Sequence, residues 1–160
     1  MEIRPATIAD ADIIAEFNIA MALETEELHL EPETVKSGVL HLIEHDELGF
    51  YLVAVREGKT VGCLLVTTEW SDWRNGVFWW IQSVYVHPSF RRQGIYRSLY
   101  EHVGNLAGSK NVCGFRLYVE KENLPAQETY KRLGMHETHY RMYEQVVSRL
   151  HASRKTIDAG

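Results

Sequence analysis

Two arginines, a glutamine and a glycine, Arg91-Arg92-Gln93-Gly94, stand between a strongly apolar run and a helical pattern that begins at Ile95-Tyr96. The first N–H groups of a helix have no partner within it, and the helix dipole makes that end positive. A glycine lets backbone approach a phosphate closely, and arginines add fork-shaped donors. The segment can therefore cradle a diphosphate, although a plain solvated basic helix start would look the same. The Gly-x-x-x-x-Gly-Lys pattern of a P-loop is absent, and a single glycine does not make a dinucleotide fingerprint. Further on stands Asn123-x-x-Ala126-x-x-x-Tyr130-x-x-x-Gly134-Met135. Its tyrosine is either a core residue of an amphipathic helix or a phenol able to donate a proton.

The elements that must position these residues follow from periodicity. Residues 2–4 read as a strand. Thr7 or Asp10 can cap a helix carrying Ile13, Ile14, Phe17 and Met21, and a second helix is expected over residues 33–45 with Pro32 at its start. Two β-rich runs around Glu57-Gly58 predict a tight hairpin. "VFWWIQSVYV" is apolar on both faces, as a central strand must be. Ile95, Leu99, Val103 and Leu106 form one helical stripe that ends near Gly108. "CGFRLYV" is the next strand, Asn123 caps a helix ended by Gly134, and "MHETHYRMYEQV" is expected to be a closing strand. Residues 77–119 then form a right-handed crossover with parallel pairing. The order β-αα-βββ-α-β-α-β is one domain over residues 1–147, with a frayed or helical tail over 148–160.

The 160 residues are 45% apolar and 24% charged, with net charge −5 and no basic tract, so nucleic acid is not an expected partner. The acidity suits a cationic substrate better. No run is long and apolar enough for a membrane span, and the N-terminus lacks a signal-peptide core. Cys63 and Cys113, both in apolar runs, read as reduced thiols in a cytoplasmic protein, a disulfide or a nucleophile being the alternatives. Metal binding is not expected: His41 and His45 lack the accompanying glutamate, and no cysteine pair supports zinc.

Taken together, the loop after "SVYVHPSF" and the Asn–Ala–Tyr–Gly helix resemble the GNAT superfamily of N-acetyltransferases. The resemblance implies an α/β (α+β) fold: a mixed, mostly antiparallel sheet splayed between strands 4 and 5, flanked by about four helices. It departs from the family pattern at Tyr96, where the loop usually ends on a small residue. It implies acetyl-coenzyme A in the V between those strands, its arm on the backbone of Val84 and Val86, and its pyrophosphate on the N–H groups of Arg92, Gln93, Gly94, Ile95 and Tyr96 beside Arg91. Asn123 would contact the arm, and Tyr130 would protonate the leaving sulfur. A backbone N–H near Tyr85 or Val86, at a strand bulge, would stabilise the oxyanion. Coenzyme A would be the product.

A lysine-like amine has a pKa of about 10.4, so deprotonation at pH 7 costs roughly 4–5 kcal/mol. Glu69 is the first candidate base, then Glu24 and Glu26, and a water-mediated route is equally open. Glu24, Glu26, Glu27 and Glu31 would draw a cationic amine to the connector that walls the acceptor site, unless they are only a solvated helix-end cluster. Trp70, Trp73 and either Trp79 or Trp80 would form an aromatic rim, or merely pack. The acceptor is expected to be a small amine slightly ahead of a protein lysine or N-terminus, with a homodimer suggested by analogy. A non-catalytic acyl-coenzyme A sensor is the alternative.

Overall fold

The computed structural model describes residues 1–147, so the expected tail over 148–160 lies outside the described residues. The chain forms two compact units, Met1–Asn123 and Leu124–Gly160.

In the first unit, β1 (Glu2–Pro5) leads to α1 (Ala11–Glu26) and α2 (Pro32–Glu44). Then come β2 (Gly49–Arg56), β3 (Lys59–Ser71), β4 (Gly76–Val86), α3 (Ile95–Ala107) and β5 (Val112–Arg116). The five strands lie in the order β1-β2-β3-β4-β5. All neighbours are antiparallel except β4 and β5, which are parallel. The expected hairpin is present, with both turn residues left-handed (Glu57 φ 52°, Gly58 φ 74°), as a two-residue turn of this hand requires.

Strand alternation gives the sheet two apolar faces. Tyr51, Val53, Cys63, Leu65 and Tyr85 pack under Ile14 and Phe17 of α1 and Val39 of α2. Leu52, Leu64, Val66, Trp79 and Ile81 pack under Ile95, Leu99 and Val103 of α3. The expected helical stripe of α3 is thus its buried face. At the other end of the sheet Asp10 is only 5% exposed, and both its oxygens are held by Arg4 at 2.8 and 3.0 Å. It also accepts from Thr7 N–H and Oγ1, so β1 is tied to the start of α1.

β5 pairs only with Val77, Phe78, Trp79 and Trp80, its last partner being Arg116 opposite Trp80. It is shorter than "CGFRLYV" suggested, because from Ile81 to Val86 β4 keeps only β3 as a neighbour while the segment after Arg116 leaves the sheet. This parting is the splay.

In the second unit α4 spans Leu124–Arg132, and Gly134 (φ 88°) ends it with bonds from Gly134 N–H to Lys131 O and from Met135 N–H to Tyr130 O. The expected closing strand over residues 135–146 is not formed. Its alternation fails where Met142-Tyr143 and Val146-Val147 set large apolar neighbours side by side, so no single face is defined, and all four are exposed. Among the described residues no helix is long and apolar enough to cross a membrane, and no cluster of three or more potential metal ligands occurs.

Candidate active site

The site is built around an irregularity in β4. Cys63 stands opposite Tyr85 and Leu65 opposite Gln82, so two steps along β3 face three along β4. The additional residue is accommodated at Ser83, whose φ is 46°. The bulge changes the alternation: Phe78, Trp80 and Gln82 share the α1/α2 face with Glu69 and Thr67, and beyond it Tyr85 returns to that face. His87 N–H donates to Val61 O on the β3 side. By strand alternation the Tyr85 amide faces β3 as well, while the N–H and C=O of Val84 and Val86 face the side that β5 has left. The expected bulge is therefore present, and of the two donors proposed near it, Val86 is the one turned into the notch; Tyr85 is corrected to a β3 partner. Sequence reasoning did not single out Ser83. Its signal was the polar pair Gln82-Ser83 inside an otherwise apolar strand.

After Val86 the chain makes a short 3-10 turn, Pro88–Phe90, and enters the basic loop. Arg92 (φ 63°) and Gly94 (φ 77°) are both left-handed, and the first helical bond of α3 is Ser98 N–H to Gly94 O. Alternating backbone hands of this kind form a concave ring of amides suited to an anion. A Cβ placed on Gly94 would meet nothing within 4 Å, so open space lies above the loop. Ile95 is 2% exposed and belongs to the core, leaving only its amide to face the loop. Tyr96 turns its ring inward, packing on the α3-side core and beside Tyr100 at 6.3 Å, so its bulk does not cover the amides. Gln93 is held by Arg56 and donates to Ser89 O. Arg92 is exposed.

Arg91 is turned back onto the strand. Its Nε donates to Val86 O at 2.8 Å, its Nη2 meets Glu24 at 2.7 Å, and its guanidinium lies 5.3 Å from the Tyr85 ring centre. The other oxygen of Glu24 accepts from the Tyr85 hydroxyl at 3.0 Å. Burial, then Glu24, pushes the Tyr85 phenol above its ordinary value. Glu24 is thus brought to the end of β4, whereas Glu26 is exposed at the end of α1. The Glu31 carboxylate caps α2, accepting from Glu33 and Thr34 N–H.

Glu69 has both oxygens in use. One accepts from Arg116 at 2.7 Å, the other from Trp80 Nε1 at 3.0 Å, and Arg116 lies 3.7 Å over the Phe78 ring. Arg116 and Trp80 are the last pair before β4 and β5 part, so this clamp sits at the vertex of the splay. Arg116 is a residue that sequence reasoning did not single out. Trp79 is corrected from a rim position to a core one: it is 3% exposed and packs against Phe50 and Phe115 on the α3 side. Trp70 and Trp73, on the β3–β4 hairpin, are 61% and 87% exposed.

Beneath the bulge, Asn18 Nδ2 donates to the Tyr51 hydroxyl at 3.2 Å, and the Cys63 thiol points to Ser83 O. Burial drives that thiol up to about 12, which removes it as a nucleophile. Asn123 closes the first unit, its N–H bonded to Glu120 O. Tyr130 lies on α4 in the second unit, where burial raises its phenol above the ordinary range.

A notch with strand-like donors and acceptors on one wall and an amide-lined, open loop at its end fits an extended carrier ending in a diphosphate. Over 97 residues the chain is 34% identical to an uncharacterized N-acetyltransferase of Methanocaldococcus jannaschii, a stretch covering 60% of this chain and 42% of that relative. The match therefore spans less than half the length of this curated relative. The crystal structure of a possible acetyltransferase from Clostridium difficile 630 aligns with a TM-score of 0.86 at 46% identity, covering 91% of this chain and 97% of that one. A predicted acetyltransferase from Clostridium acetobutylicum, solved with acetyl-CoA, shares the fold at a TM-score of 0.74 and 16% identity, covering 90% of this chain and 95% of that one. The model of the acetyltransferase (GNAT) family matches residues 15–135, and the chain belongs to that family, whose members are acetyl-coenzyme A-dependent N-acyltransferases.

Proposed function

We propose that residues 1–147 are one catalytic domain that moves an acetyl group from acetyl-coenzyme A to a primary amine by direct attack in a ternary complex, with small cationic amines as the acceptor class. The observation that carries this reading is the parting of β4 from β5 beyond Trp80, with a bulge at Ser83 and a left-handed amide loop at the open end. Acetyl-coenzyme A, when bound, supplies an acetyl thioester and a thiol leaving group. The backbone of Val84 and Val86 would hold its arm as a neighbouring strand would. The amides of residues 92–96, with the Arg91 and Arg92 guanidinium groups beside them, would hold its diphosphate. Asn123 would orient the arm. The Val86 N–H, turned into the notch, would donate to the developing oxyanion. Tyr130 keeps its proton at Oη at neutral pH, since burial raises its phenol, and is the proton source for the leaving group.

Removal of the amine's proton is assigned to water. Glu69 already accepts from Arg116 and Trp80, and Glu24 from Arg91 and Tyr85, so protonating either carboxylate would give up the charge that its arginine pairs with. The exposed Glu26 and Glu27 leave the end of α1 acidic, which supports a cationic acceptor. Two cysteines outside any disulfide support a reducing, cytoplasmic setting. The test is thiol release from acetyl-coenzyme A across a panel of small amines, amino acids and a lysine peptide. Release with at least one small cationic amine is expected. Coenzyme A binding without release for any acceptor would overturn catalysis and leave a carrier-binding domain.

A further inference from the structure

The Glu24–Arg91 contact sets a cofactor-side residue against a residue of the acceptor wall, and each of its bonds uses a group that the proposed function needs elsewhere. Arg91 occupies the carbonyl of Val86, one of the two strand residues facing the notch, and is paired with a carboxylate instead of extending toward the amide loop one residue away. Its side chain is 42% exposed and that of Glu24 41%, so the pair is open to solvent and to competition from another anion. Glu24 does not depend on Arg91 for its position, because Tyr85 holds its other oxygen from a strand of the core. Tyr85 also carries the Arg91 guanidinium on its ring, giving the arginine an apolar platform on which to swing.

We infer that Glu24 is an internal competitor for the diphosphate: it holds Arg91 on the wall of the notch and yields it to the phosphates when the carrier binds. Glu24 is thereby a positioning residue that sets carrier affinity from the acceptor side. This rests on the reading of the notch as the acetyl-coenzyme A site. An anion that competes with the ligand must weaken binding, so removing its charge must strengthen binding, the reverse of what loss of a structural contact would do.

The experiment is calorimetric titration of coenzyme A into the wild-type chain, Glu24→Gln, Arg91→Met and the double variant, with Tm recorded for each. Glutamine keeps an acceptor for Tyr85 and discards the charge. An exposed pair of this kind is expected to tighten binding by about two- to fivefold in Glu24→Gln when released. Arg91→Met should weaken binding by about tenfold through the lost phosphate contact. The double variant should match Arg91→Met, because Glu24 acts only through Arg91. Glu24→Ala, which leaves Arg91 no acceptor at that position, should shift affinity in the same direction as Glu24→Gln. Unchanged or weaker binding in both Glu24 variants, or equal tightening with and without Arg91, would overturn the competition while leaving the cofactor site intact. Absence of any heat with the wild-type chain would instead remove the cofactor site itself, and the competition with it.

Discussion

At the scale of single residues, the chemistry divides between groups that hold a proton and groups whose hydrogen bonds are already committed. Tyr130 is of the first kind. Burial raises its phenol above the ordinary range, so the proton source proposed for the leaving group is protonated at neutral pH. Tyr130→Phe should lower kcat by about ten- to a hundredfold, in line with the loss of one general acid, while Kd for coenzyme A changes less than about twofold, because the ring remains. Stopped thiol-release assays beside calorimetry check both halves, and an unchanged kcat removes Tyr130 from the reaction. Glu69 is of the second kind. In Glu69→Gln, kcat should stay within about twofold of wild type, and stability should fall by no more than about 1 kcal/mol, the scale of a partly exposed ion pair. With water as the proton acceptor, kcat/KM should climb with pH toward the amine's own pKa near 10, and Glu69→Gln should not move that limb. A limb that shifts in the variant would return Glu69 to the role of base.

At the scale of elements, the amide loop depends on backbone that only some residues adopt. Gly94 sits at φ 77°, and a methyl group attached there would have nothing within 4 Å, so Gly94→Ala meets no steric clash and its cost is conformational. Holding an L-residue left-handed costs roughly 1–2 kcal/mol. The expected result is a Tm lower by a few degrees and a Kd for coenzyme A raised by about tenfold, from a loop that relaxes away from its anion-binding shape. Equal affinity for the carrier would show that these amides do not bind it. The left-handed glycine at the head of α3 was legible in the sequence as a helix start, although the same residues would also suit a plain solvated basic helix start. So were the hairpin at Glu57-Gly58 and the buried stripe of α3. Two things were not. The polar pair Gln82-Ser83 interrupts the apolar run of β4 but does not say that a residue is inserted there, so Trp79 and Trp80 could not be assigned to faces and the notch-facing amide could not be chosen. And residues 135–146 have strand-like composition without a consistent face, a distinction that single-residue propensity blurs.

At the scale of the whole unit, the pairings that organise the sheet join residues far apart in sequence, and their consequences show in how the fold responds to its surroundings. Arg116 is 47 positions from Glu69, a separation across which sequence patterning carries no signal. Asp10 ties β1 to the start of α1, and its carboxyl is held down at about 2, chiefly by the Arg4 hydrogen bonds. A carboxyl depressed in the fold relative to about 3.9 unfolded contributes stability that is fully present above pH 4 and is lost as pH falls through 2. Asp10→Asn should therefore cost about 1–2 kcal/mol at pH 7, a value discounted because Arg4 is a third exposed. The difference from wild type should shrink toward pH 2 in urea titrations, and a difference constant from pH 7 to 2 would contradict the pairing. The two cysteines report on the integrity of the same unit. Cys63 is fully buried between α1 and the bulge, with its thiol pushed up to about 12, whereas Cys113 is exposed on β5. Thiolate is the reactive form, so a maleimide or disulfide reagent at pH 8 should modify one thiol per native chain, at Cys113, and the second only as fast as the sheet opens. Peptide mapping after brief labelling assigns the site. Rapid native labelling of Cys63 would mean that the β3–β4 layer beneath the bulge is open to solvent, and with it the strand wall on which the carrier is proposed to lie.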